Sequence, residues 1–255
     1  MSPSPFRRPN SVSQPTLRLA MFHHAGGSAT MYLPMSEELP ADWDLLLFDM
    51  PGRGTNQRRS EPASMNHLLA EVAADIDPWL DAPIALVGHS LGAVIASEMG
   101  RYLCARGTPP VWVGVSGRVA PDYGPRPTGH LHRLDDETLL DELSGMGAMD
   151  RERLTAIPNL RDHFLRTARS DLRLVESYIE PPDRNALTCP LTVFASTDDE
   201  WAPLAGMPGW RRETTHSFRQ REFSGGHFYF LGERFAEFAQ CVVAEAGRNL
   251  HLPQE

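Results

Sequence analysis

PIALVGHSLGAVIASEMGRYL, residues 83–103, changes its period in the middle. Ile84 to Val87 is an unbroken apolar run of strand length, whereas Ala93 to Arg106 has helical character. Gly88-His89-Ser90-Leu91-Gly92 lies between them, so a strand must turn sharply into a helix within five residues. Such a turn pushes its apex into strained backbone, and small flanking residues keep the neighbouring chain from clashing. Ser90 at the apex would project above a sheet, at the N-terminus of a helix, where developing negative charge is favoured.

The same alternation runs outward in both directions. Leu17–Phe22, Trp43–Phe48, Val111–Val115, Leu191–Ala195 and Phe218–Phe223 read as further strands. Leu68, Val72, Ile76 and Leu80 mark an amphipathic helix, and Phe235, Phe238 and Val242 mark a closing one. Strands alternating with helices imply an α/β fold with a mostly parallel sheet covered on both faces. Residues 17–119 and 188–248 form this core. Residues 120–187 hold helical patterns and no strand, which reads as a helical lid inserted over the sheet's carboxyl edge. Residues 1–16, rich in Ser, Pro and Arg, read as a disordered tail.

Composition removes several functions. The chain has 255 residues and a net charge of −9, and all 24 basic residues are Arg. Without Lys there is no phosphate-loop Lys, Schiff base or Ser-Lys dyad. The acidic balance speaks against a nucleic-acid partner. Cys104, Cys189 and Cys241 are far apart, with no CxxC and no HExxH, so neither a metal nor a dithiol redox centre is expected. No apolar run approaches a membrane span, and the N-terminus lacks the apolar stretch of a signal peptide, which implies a soluble, cytoplasmic protein.

A serine hydroxyl needs a base. Of ten histidines, His227 in Ser224-Gly225-Gly226-His227 lies between the last strand and the last helix, where the chain order Ser, Asp, His would put it. A carboxylate should follow the strand before it. Asp198, Asp199 and Glu200 all qualify by type. Because Asp199-x-x-Ala202-Pro203 resembles the Asp-x-x-Val-Pro loop common after this strand in serine hydrolases of this fold, Asp199 is favoured, with Asp198 as the alternative. Its task is to hold the histidine tautomer. An oxyanion then needs aimed N–H donors, for which Leu91 and Ala25 of the loop His24-Ala25-Gly26-Gly27-Ser28 are the candidates.

Six motifs in this order, FHHAGGSA, DMPGRG, GHSLGA, SGRVAP, DLRLVESY and SGGHFYFL, resemble the external (type II) thioesterases that accompany polyketide synthases and non-ribosomal peptide synthetases. The likeness covers about residues 17–240. It implies an α/β-hydrolase with a helical lid that clears acyl groups from the phosphopantetheine arm of acyl or peptidyl carrier proteins. No cofactor is implied beyond the arm that the substrate itself carries. Family catalytic positions fall on Ser90, Asp199 and His227, and oxyanion positions on Ala25 and Leu91. Three places depart from the family: His23 stands where Pro is usual, Leu91 where Met is common, and Ser196-Thr197 where Gly-Asp is common. A stand-alone serine esterase or lipase, a product-releasing thioesterase and a catalytically silent interaction module are the competing readings. Met146, Met149, Leu172 and Val175 are candidate lid contacts. The clusters Arg53/Arg58/Arg59 and Arg118/Arg126/Arg133 are expected near the pocket mouth, either as a basic patch for an acidic carrier or paired with local acids on a solvated face.

Overall fold

The computed structural model describes residues 4–124, 130–147, 149, 151–157, 159–181 and 183–250. Seven strands form one sheet: β1 (Phe6–Arg7), β2 (Leu17–Phe22), β3 (Trp43–Phe48), β4 (Ile84–His89), β5 (Trp112–Ser116), β6 (Leu191–Ser196) and β7 (Phe218–Phe223). Their spatial order is β1-β3-β2-β4-β5-β6-β7, parallel except where β1 meets β3.

Strands β2 to β6 are buried on both faces, and alternate residues enter two cores. Leu46, Leu86, Val113 and Val193 face α2 (Met65–Ile76) and α3 (Leu91–Ala105), meeting Leu68, Val72, Ile95 and Met99. Leu45, Leu47, Val87 and Phe194 face the opposite side, against Phe230, Phe238 and Val242, the last two from α7 (Phe235–Leu250). Each fully buried aliphatic side chain there contributes about 1.5–3 kcal/mol of transfer free energy.

The N-terminal segment departs from the expected disordered tail. From residue 4 onward it is built into the sheet edge, where β1 pairs Phe6 with Phe48 and Arg7 with Leu47. The reason is one aromatic residue and one cation. The Phe6 ring lies 5.4 Å from Phe48 and 6.4 Å from both Phe22 and Trp79, and Arg8 forms an ion pair with buried Asp44 at 2.6 Å. These contacts offset an ordering cost that composition alone left unopposed.

Between β5 and β6 the described chain is helical: α4 (Asp136–Gly145), α5 (Arg151–Ala156) and α6 (Leu160–Ser177), with no named strand among its described residues. Leu131, Leu139, Leu140, Leu143, Leu165 and Leu172 build a small separate core. Leu174 and Val175 of α6 belong instead to the main core, so α6 is the anchor of the insertion. Among the described residues, no helix is long and apolar enough to cross a membrane.

Candidate active site

The parallel register brings five strand ends to one edge. Phe22 lies opposite Gly88, His89 opposite Ser116, Ser116 opposite Phe194, and Ser196 opposite Phe223. The loops that follow β2, β4, β5, β6 and β7 therefore leave the sheet together.

Ser90 sits at the turn between β4 and α3 with φ 55° and ψ −111°, a conformation costly for any residue with a Cβ. Its N–H donates to Ser116 O at 2.8 Å, which secures the turn to β5. The flanking glycines are steric necessities. A Cβ on Gly88 would sit 1.9 Å from Gly92 O, and one on Gly92 would sit 2.0 Å from Phe22 O. Leu91 opens α3, so its N–H has no intrahelical acceptor and points out of the helix start.

His227 and Asp199 meet at 2.8 Å between Nδ1 and Oδ2. Asp199 Oδ1 accepts the N–H groups of Trp201 and Ala202, both at 2.9 Å. Burial raises the Asp199 carboxyl, but the His227 hydrogen bond and charge and the two N–H bonds outweigh it, leaving the group below the usual carboxylate value. Because Asp199 can only accept, His227 carries its proton on Nδ1 and presents Nε2. Asp198 does something else: its Oδ2 accepts Gly225 N–H at 3.2 Å, and its own N–H donates to Gly225 O at 3.1 Å. It closes the loop that carries the histidine.

Ser90 and His227 share the wall of a cavity of about 460 Å³. No direct Ser90–His227 hydrogen bond is present among the described residues; such contacts often tighten only with substrate bound. Met146, Leu172 and Val175 supply apolar wall from the insertion, and Trp201 lines the same cavity as Ser90 and His227. Met149 packs against the insertion's own core instead.

The loop after β2 is held from several sides. His24 O accepts Gly27 N–H at 3.0 Å and lies 2.8 Å from His23 Nδ1. Met50 N–H reaches His23 Nε2 at 3.3 Å, so Nε2 accepts and Nδ1 donates. His23, the residue that departs from the usual Pro, thus fixes the His24 carbonyl and with it the peptide that bears the Ala25 N–H. Burial, and then the Arg53 charge, push the His23 imidazole well below its ordinary value. His24 is pushed down to about 3, by burial, then by His227 and Arg53. His89 turns away from the cavity, within 2.8 Å of Ser116 Oγ, and burial also keeps it neutral.

Several readings of the arginines need correction. Arg53 is buried and grips Asp171 of α6 through two hydrogen bonds of 2.8 and 2.7 Å. Arg59 pairs with Asp75, and Arg118 is buried on the cavity wall beside Glu180 at 3.3 Å. Only Arg58 and Arg133 are exposed as expected, and Arg126 lies outside the described residues. The charges were legible, but their acidic partners come from distant elements.

Sequence reasoning also missed the group His130, His132 and Glu176, whose donor atoms all lie within 4.8 Å of one another. Glu176 already accepts Leu131 N–H at 2.9 Å, His132 N–H at 3.3 Å and the His132 ring. These bonds make it a latch for the 131–133 turn, whose Leu131 lines the cavity together with His130 and Glu176.

Comparison with known proteins agrees with this architecture. The thioesterase domain model matches residues 17–244. Thioesterase PikA5 of Streptomyces venezuelae is 38% identical over 240 residues, covering 92% of this chain and 83% of its own. The RedJ thioesterase of the prodiginine pathway in Streptomyces coelicolor superposes with a TM-score of 0.82 at 31% identity, covering 92% of this chain and 91% of that one. YbtT, a type II thioesterase from the yersiniabactin pathway, gives 0.83 at 27% identity, covering 96% and 99%. A seven-stranded α/β-hydrolase sheet, a serine at its elbow and a family match over nearly the whole core lead to one conclusion: the chain belongs to the thioesterase domain family and is a hydrolase acting on thioesters.

Proposed function

We propose that the protein removes acyl groups from the phosphopantetheine arm of acyl or peptidyl carrier proteins, editing stalled or mis-primed polyketide or non-ribosomal peptide synthases. The observation that carries this reading is the Asp199–His227 hydrogen bond on the wall of the cavity that holds Ser90.

In this mechanism Ser90 Oγ attacks the thioester carbonyl while His227 Nε2 takes its proton. The oxyanion is met by the N–H groups of Leu91 and Ala25, which need no reorganisation as charge develops. Collapse expels the pantetheine thiol, which takes the proton from His227 and leaves an acyl-Ser90 ester. Water, deprotonated by the same nitrogen, then attacks that ester, and collapse frees the acid while His227 returns the proton to Ser90 Oγ. Asp199 stays ionised throughout and steadies the imidazolium. The apolar wall of Met146, Leu172 and Val175 suits an acyl chain, and about 460 Å³ suits a short to medium one.

The test is a comparison of kcat/KM on acyl-carrier thioesters and on p-nitrophenyl esters of the same acyl group, with fluorophosphonate labelling of Ser90. A strong preference for the carrier substrate is expected. Equal or better turnover of the free esters would favour a stand-alone esterase. Absence of labelling would leave only an interaction module.

A further inference from the structure

We propose that Arg53 and Asp171 are a positioning pair that ties lid helix α6 to the His24–Gly27 loop and so sets the direction of the Ala25 N–H. The inference rests on the reading of Ala25 as an oxyanion donor and deepens it.

The two residues are 118 apart in sequence and both are buried. Their fork is bidentate, with Arg53 donating to Asp171 Oδ2 at 2.8 Å and to Oδ1 at 2.7 Å. What marks the pair is where its remaining capacity goes. Asp171 Oδ2 also accepts the Gly26 N–H at 2.8 Å, and Arg53 also donates to Gly27 O at 2.9 Å. Both extra bonds land on the backbone just after Ala25. The helix itself presses on the same spot: a methyl at Gly26 would lie 3.1 Å from the Ala168 Cβ.

These bonds leave the loop little freedom. Holding the Gly26 N–H fixes the peptide between Ala25 and Gly26. Holding Gly27 keeps its N–H on the His24 carbonyl at 3.0 Å. A trans peptide directs its N–H opposite its carbonyl, so the Ala25 N–H is aimed by the same contacts. When α6 undocks, Gly26 loses its acceptor and a buried guanidinium loses its counter-ion. The donor and the seated lid are therefore two views of one state. Arginine is required because only its planar fork serves the carboxylate and the carbonyl at once.

The assay is steady-state hydrolysis of an acyl-N-acetylcysteamine thioester, which involves no carrier contact. Asp171→Asn keeps the size but turns an amide toward Arg53. It is expected to lower kcat about 100-fold with KM within about threefold, as for loss of an oxyanion donor. The double variant Arg53→Met/Asp171→Leu removes both charges and should restore thermal stability, because an apolar pair often replaces a buried ion pair without loss. Its kcat should stay low, because Gly26 and Gly27 remain unheld. A double variant with both wild-type melting and wild-type kcat would show the pair to be structural only and overturn the proposal. A second readout uses the unaltered protein. Phosphonylation of Ser90 should slow hydrogen exchange in 160–177 together with 23–28; a change confined to the loop would also overturn it. Ser90→Ala run alongside separates the two ideas. Turnover by that variant would remove the serine mechanism itself, whereas an inactive Ser90→Ala beside a fully active Asp171→Asn removes only the coupling.

Discussion

His227 Nδ1 lies 2.8 Å from Asp199 Oδ2, while the carboxylate of the adjacent Asp198 faces the other way and holds the Gly225 N–H. Two neighbouring acids of identical chemistry thus have separate tasks. Asp199→Asn should lower kcat by about 10⁴-fold, because the amide permits the wrong imidazole tautomer. Asp198→Asn retains an oxygen acceptor for Gly225 and should stay within about threefold of wild type. Kinetics of the two variants on one thioester check this, and the reverse order would exchange their roles.

Ser90→Ala and Ser90→Gly should both abolish acyl-enzyme formation, with kcat reduced by at least about 10³-fold. Their stabilities should differ. At φ 55° a Cβ is strained, so glycine relieves of order 1 kcal/mol that alanine retains. Ser90→Gly should melt at or above Ser90→Ala, as scanning calorimetry would read. A lower melting point for the glycine variant would mean that the elbow stores no such strain.

The buried histidines predict acid lability. An unfolded chain protonates His24 below about 6.5, whereas the folded protein keeps it neutral down to about 3. The unfolded state then binds the extra proton, so stability is full above about pH 6.5 and falls as pH drops toward 3. The slope is about 1.4 kcal/mol per pH unit for each such group. His23 and His89, also lowered by burial, act in the same direction. Asp199, lowered, contributes stability that is lost only as pH falls through its folded value, below the usual carboxylate range. Urea midpoints between pH 7 and 4 would show the combined slope, and a flat profile would contradict burial of neutral imidazoles.

Val175 lines the cavity and is also packed into the main core. Val175→Phe should narrow the acyl space and lower kcat/KM for long acyl groups by at least about tenfold, while acetyl thioester hydrolysis changes little. A chain-length series would check the split. Uniform loss across the series would indicate a disturbed fold instead.

Arg58 is the exposed member of its cluster, whereas Arg59 is committed to Asp75 at 2.5 Å. Arg58→Glu should raise KM for an acyl-carrier substrate and leave the acyl-N-acetylcysteamine thioester unaffected. Arg59→Glu should instead lower thermal stability, since it sets a carboxylate against Asp75. If Arg58→Glu leaves carrier turnover unchanged, the carrier docks elsewhere.

Much of the scaffold was legible because its causes are local. The six longer strands were found within about two residues at each end, since apolar runs bounded by turn residues have few other uses. The strand at Phe6–Arg7 was missed because two residues carry no period. It is ordered by tertiary contacts: pairing with β3, the Phe6 ring against Phe22, Phe48 and Trp79, and the neighbouring Arg8–Asp44 ion pair. Arg53 and Asp171 were each visible in a quoted motif, yet nothing in either motif announces a partner 118 residues away.

By itself, the sequence determined the alternation of strands and helices, the sharp turn at Ser90 and the order of serine, acid and histidine. These depend on periodicity and on sterics within a few residues, such as the missing Cβ atoms at Gly88 and Gly92. Only the tertiary structure decided which acid meets His227, why a histidine can stand at position 23, and which arginines are buried in ion pairs. Those outcomes depend on which loops the strand order brings to one edge, and on backbone bonds that turn one carboxylate inward and its neighbour away.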